Sequence, residues 1–224
     1  MRHRMFAALS LALAGLAAPA AVAHAEDAPF IFSPVGPGAG HGAIGLGGKV
    51  HMVVPELYVP IPFFDFHYVR SFTENFDLRL SLNTLLVANY GDLGVRLHFG
   101  GPEFSFGLNA SLTTFFVVFG GKDGGGGLAS FAATPGAFVG FGSPTFQFSI
   151  GADVPLFFAA GAFANIGGDS AGTGLTGFKA MVRPSAAIEF PVSASTNLYI
   201  QGSAMIIPDA KFIVGPMLAI GASF

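Results

Sequence analysis

The residues of this 224-residue chain best equipped for chemistry are a few histidines and carboxylates. Asp65, with His51 or His67, has the composition of an acid–histidine pair. Such a pair serves catalysis only when a nucleophilic hydroxyl or thiol lies within hydrogen-bond reach of the imidazole. The chain contains no Cys. No Ser adjoins His98, and Ser81 faces it only if two strands pair in one particular register. A metal centre needs ligand spacing that gathers the donors, and His51, His67 and His98 show none. Gly40, Gly42 and Gly45 match a dinucleotide-binding GxGxxG pattern, but no strand precedes them and no helix follows. Gly121-Lys122 is followed by Asp123 rather than Ser or Thr, so it is not a nucleotide-binding lysine motif. The expectation is no catalytic residue, no metal, no cofactor, and a protein that is not an enzyme.

What positions these groups follows from an unusual composition. Hydrophobic residues make up 52% of the chain and charged residues only 10%, against about 25% in ordinary soluble domains. Disorder is excluded, because it needs low hydrophobicity and high charge. A formal charge of -3 speaks against nucleic-acid binding, which needs a basic surface. Without Cys there is no disulfide scaffold.

Part of the apolar content is an export signal. Arg2 and Arg4 precede an apolar stretch from Met5 to Leu16, and Ala23-His24-Ala25 has the small-x-small form of a cleavage site. Residues 1–25 therefore read as a signal peptide, and removing them takes Arg2 and Arg4 with it. No later apolar run reaches the roughly 20 residues a membrane helix needs. The alternative spanning structure is a closed β-barrel.

The rest of the sequence alternates with period two, as strands with one oily and one polar face do. Phe104, Phe106, Leu108, Ala110, Leu112, Phe116 and Val118 share a face, opposed by Ser105, Gly107, Asn109, Ser111 and Thr113. The same phase directs Lys49, His51, Asp65, His67, Asp77, Arg79, Arg96, His98, Asp153, Lys179, Arg183 and Glu189 to the polar side. In a barrel that side is the lumen, where opposite charges pair and hold strand register. Folding the hairpins about their expected turns puts Asp65, Asn83 and Arg96 in one layer, and His67, Ser81 and His98 in the next. Strands near 128–141, 197–207 and 211–224 contribute mostly Ala, Gly, Ser and Met, giving one slim, oily lumen wall.

Phe224 ends the chain, with Phe212, Val214, Leu218, Ile220 and Ala222 behind it. This resembles the C-terminal signature strand of Gram-negative outer-membrane β-barrels, which the insertion machinery reads. Aromatics flank short turns: Phe72 and Phe76, Phe99 and Phe104, Phe141 and Phe146. The segment from His67 to Leu80 resembles a strand-turn-strand unit of small outer-membrane barrels of the OmpA/OmpX kind. The resemblance implies outer-membrane lipids as surroundings, with periplasmic chaperones and the insertion machinery as partners during biogenesis.

The predicted fold is all-β, a transmembrane antiparallel up-and-down β-barrel of about ten strands, with eight possible if 42–54 and its partner lie outside. Strands are expected near 42–54, 62–72, 76–87, 92–99, 103–119, 128–141, 145–158, 176–191, 197–207 and 211–224. Ala88 to Gly91 is expected as an outer loop. Residues 26–41 form a periplasmic lead-in, and 42–224 the barrel. The expected function is an envelope structural role or a narrow passive pore. A lumen that binds a hydrophobic ligand or lipid is the alternative, and a lipid-modifying enzyme the third.

Overall fold

The computed structural model describes residues 30–34, 36–52, 60–85, 87–121, 124–166, 169–175, 179–206 and 213–224. Residues 1–25, expected as a signal peptide, and Phe212 lie outside them. The described chain is β throughout: β1 (Gly42–Met52), β2 (Pro60–Thr73), β3 (Phe76–Leu85), β4 (Ala88–Gly100), β5 (Phe104–Gly121), β6 (Gly124–Ser143), β7 (Phe146–Asp153), β8 (Leu156–Ile166), β9 (Asp169–Leu175), β10 (Lys179–Ala180), β11 (Arg183–Ser193), β12 (Thr196–Ile206) and β13 (Ile213–Ser223). Every pairing among them is antiparallel.

These segments build ten staves. β7 and β8 are one stave interrupted at Val154-Pro155, where proline cannot donate to the ladder. β9, β10 and β11 run along it as the next stave, pairing with β8 and β7. The ring closes where β1 pairs with β13, with Gly45 opposite Ser223 and Ile44 exchanging backbone bonds with Phe224. The C-terminal residue is therefore part of the seam. β1 is thus paired on both sides, with β2 and β13, and exposes no unpaired ladder at the seam.

Among the described residues, four tight turns lie at one end, between β2 and β3, β4 and β5, β6 and β7, and β11 and β12. Gly100 takes a φ of 104° at the second of these, a conformation glycine adopts without penalty. Aromatic side chains gather around this end: Phe72 packs 6.0 Å from Phe76, Phe99 5.4 Å from Phe106, and Phe104 5.4 Å from Phe141. At the opposite end β5, β6 and β8 extend beyond the shorter staves; β6 alone spans 20 residues.

The burial of side chains alternates along β5. Phe104, Phe106, Leu108, Leu112, Phe116 and Val118 are exposed, whereas Ser105, Gly107 and Thr113 are buried. The same inversion holds around the ring, where Leu46, Phe64, Leu80, Leu93, Leu97, Ile150, Ile200, Leu218 and Ile220 also point outward. A water-soluble barrel would put these residues inside. An apolar outside and a polar inside are the pattern of a barrel whose solvent is lipid.

The lumen is filled from an unexpected source. Phe30, Ile31, Phe32, Ser33 and Pro34, part of the lead-in segment, are buried. They fold up into the barrel from its tight-turn end. Glycines on the wall make room for the plug and for Tyr199. A Cβ at Gly45 would fall 2.5 Å from the Ile31 side chain, and one at Gly47 would fall 2.6 Å from the Tyr199 hydroxyl.

Candidate functional site in the barrel lumen

One buried layer of the lumen is built around Glu189 on β11. Its carboxylate accepts three successive backbone N–H groups of the plug: Ile31 at 2.7 Å, Phe32 at 2.9 Å and Ser33 at 2.7 Å. Consecutive amides converging on an anion form a nest, and charge-assisted bonds of this kind offset the cost of burying the carboxylate. The Ser33 hydroxyl donates to Gln147 at 3.1 Å, and Arg96 donates to the Ser33 carbonyl at 2.8 Å. Arg79 reaches the Ile31 carbonyl at 3.3 Å. Phe32 packs edge-on against His67 and Tyr199, with centroids 4.8 and 5.0 Å away. Side chains from β2, β3, β4, β7, β11 and β12 thus grip one short stretch of chain.

Three ion clusters among the described residues surround it. Arg96 and Asp77, opposite each other on β4 and β3, are both buried and approach to 2.5 Å. Asp77 also accepts from Ser71 at 2.6 Å and contacts His98 Nε2 at 3.3 Å. The plug presses on this pair: a Cβ at Gly36, whose φ is 65°, would sit 3.2 Å from Arg96 and from Asp77. The second cluster centres on Asp65, which meets His67 at 2.9 Å, the Tyr199 hydroxyl at 3.0 Å and Lys49 at 4.0 Å. In the third, Arg183 bridges Asp153 at 2.9 Å and Asp92 at 3.1 Å, while Asn109 donates to Asp153 at 2.7 Å. Thr113 donates to Asp92, and Arg183 lies over the Tyr90 ring at 5.4 Å.

Lys49, Asp65, His67, Asp77, Arg79, Arg96, His98, Asp153, Arg183 and Glu189 therefore come together as lumen groups. His51 lies 6.2 Å from the Phe63 ring, and among the described residues its Nε2 has no hydrogen-bond partner. Lys179 is in β10 opposite Phe157. At the seam, Leu218, Ile220 and Phe224 face outward, and Val214 belongs to β13.

The expected layering needs correction. Asp65 faces Asn83 and His67 faces Ser81, as expected, but Arg96 faces Asp77 rather than Asn83. The next residue beyond Ser81 is Asp92, so Ser81 does not face His98. The reason is the β3–β4 connection, which turns between Leu85 and Ala88. Ala88 to Gly91, expected as loop, is strand. The wall expected to be slim and oily departs from that at β12, where Asn197 and Tyr199 are buried in the lumen, whereas β6 and β13 bury small residues such as Ala132, Ser130, Ala219 and Ser223. The expected set omits Asp92, Tyr199 and Gln147. Asp92 shares the phase of Arg96 and is readable as the first residue of the strand expected at 92–99; Tyr199 shares the phase of Asn197 and Gln201.

Among the described residues no group of three or more His, Asp or Glu could hold a metal ion. His67 and His98 direct Nε2 to carboxylates rather than to a hydroxyl.

No protein-family model matches the chain, and no curated protein matches it in sequence. Solved structures match it in fold. The outer-membrane protease OmpT of Escherichia coli superposes with a TM-score of 0.56 at 8% identity, covering 82% of this chain and 95% of that one. The N-terminal β-barrel domain of Pseudomonas aeruginosa OprF gives 0.39 at 12% identity, covering 84% and 99%. Together with the outward apolar belt, the fold defines a ten-stave antiparallel barrel of the outer-membrane type.

Proposed function

We propose that this chain is a non-enzymatic protein of the bacterial outer membrane, exported by residues 1–25, whose lumen is stoppered from the periplasmic side by its own residues 30–34. Its role on this reading is structural, in the envelope. Tight turns mark the periplasmic end of such barrels, which is the end the plug enters. The observation that carries the reading is the Glu189 carboxylate gathering the amides of Ile31, Phe32 and Ser33. A narrow passive pore would need that segment withdrawn. The hydrophobic-ligand reading is left with a cavity of about 130 Å³, because Ile31, Phe32 and Tyr199 occupy part of the apolar lumen. An OmpT-like protease activity is not proposed, since likeness at 8% identity speaks only to fold.

Planar-bilayer recording tests the stopper. The intact mature chain is expected to give no conductance above background, whereas a chain lacking residues 26–36 is expected to conduct. Equal open currents from both would overturn the reading.

A further inference from the structure

The lumen wall reads the backbone of residues 31–33, not only their side chains. Glu189 accepts three consecutive N–H groups, from Ile31, Phe32 and Ser33. Arg79 donates to the Ile31 carbonyl at 3.3 Å, and Arg96 to the Ser33 carbonyl at 2.8 Å. One donor and one acceptor per residue is what a peptide main chain carries, and a lipid tail has neither. Side chains add selectivity. Phe32 meets His67 and Tyr199 edge-on, and the Ser33 hydroxyl donates to Gln147. Gly45 leaves room for Ile31, and a Cβ at Gly140 would collide with the Pro34 ring.

Most of this wall is aimed by bonds of its own. Asp77 holds Arg96 at 2.6 Å. Gln147 donates to the carbonyls of Pro102 at 3.0 Å and Ser143 at 2.8 Å, which turns its oxygen toward Ser33. Asp65 fixes both His67 and Tyr199. These groups keep their places without help from the segment they grip, and a preorganised wall loses little on binding. The segment is joined to β1 through Gly36, Gly38 and Gly40, each at positive φ. Residues 28–40 carry no Asp, Glu, Lys or Arg.

We infer that the tight-turn end of the lumen is a peptide-binding site, which takes a bent, uncharged segment of the Phe-Ile-Phe-Ser-Pro kind from another chain. On the stopper reading, on which this rests, residues 30–34 are its resident ligand. A short flexible tether gives such a resident an effective concentration of about the millimolar range. A free peptide therefore enters where the resident has been displaced.

Fluorescence anisotropy of the refolded full chain in an uncharged detergent tests this. The probe is an amino-capped peptide of residues 30–34, with a dye at its carboxyl end. Ile31→Asp sets a second carboxylate beside Glu189, and is expected to expel the resident while leaving the wall unaltered. The Ile31→Asp chain is expected to bind the probe with a Kd in the millimolar range or tighter, and the intact chain at least about tenfold more weakly. N-methylating the probe at the position of Phe32 removes one N–H from Glu189 and should weaken binding by about tenfold or more. A scrambled peptide should not bind. Heat-modifiable gel migration confirms folding; if Ile31→Asp does not fold, the chain lacking residues 26–36 takes its place with the same probe. Equal binding of the scrambled or N-methylated peptide, or equal binding to the intact chain, would overturn the inference. So would a folded Ile31→Asp barrel that conducts without binding the probe, an outcome that leaves the stopper standing. An intact chain that conducts, with selective probe binding by Ile31→Asp, would sink the stopper and leave the site.

Discussion

Arg96 and Asp77 face each other on one rung of the β3–β4 ladder, both without solvent exposure. Removing one partner of such a pair strands the other charge in a low-dielectric interior, at a cost of about 3–5 kcal/mol. Arg96→Met is therefore expected to lower stability by that amount, read from urea unfolding followed by circular dichroism, since the chain has no Trp to report by fluorescence. A shift below about 1 kcal/mol, the median worth of a surface pair, would show that the pair is solvated. That both residues point inward is legible from their phase with Phe76 and Leu97. That they meet is not, because partner identity depends on where the chain reverses. A misplaced turn leaves parity intact, so the inward face of β4 reads correctly while the Arg96 rung does not. The role of Glu189 is hidden for a different reason: its partners are the backbone amides of residues 31–33, and amides carry no signature in a sequence.

The strand is the scale at which the membrane is written. Along β5, Leu108 lies between Phe104 and Phe116 on the outward face and is 57% exposed. In water, a substitution at so open a position changes stability by about 0.5 kcal/mol or less. In lipid, Leu108→Arg is expected to cost about 2–4 kcal/mol, because no polar group answers the charge near the bilayer midplane. Folding yield into vesicles, scored by the heat-modifiable band over a urea series, measures it; an unchanged midpoint would show that this face does not meet lipid. The alternation that makes β5 readable fades elsewhere. Pro155 breaks a continuous stave into β7 and β8. The Gly and Ala of residues 159–175 give little contrast between faces, so the β8–β9 hairpin reads in part as loop. The tight turns are legible because paired aromatics bracket them.

As a whole molecule the chain has two insides. One is the lipid that surrounds the belt, which absorbs the apolar residues a soluble fold would hide. The other is the lumen, where the scarce charged residues pair around a segment of the chain itself. Period two reveals the first. It also reveals the inward charged groups of the second, but nothing in the sequence reveals the segment they surround, because residues 30–34 read as part of a lead-in with no partner of their own. Closure of β1 on β13 through Ile44 and Phe224 holds the ring, and the Glu189 nest holds the stopper within it. Because the chain lacks Cys, single introduced thiols report on this directly. Ser33→Cys places one inside the lumen, and Thr145→Cys places one on an exposed tight turn at the same end. Reaction of each refolded barrel with a bulky charged maleimide is the most direct test of a self-stoppered lumen. The Thr145→Cys barrel is expected to label rapidly. The Ser33→Cys barrel is expected to stay protected until it is unfolded, with Glu189→Ala releasing that protection. Equal labelling rates of the two folded barrels would contradict the account.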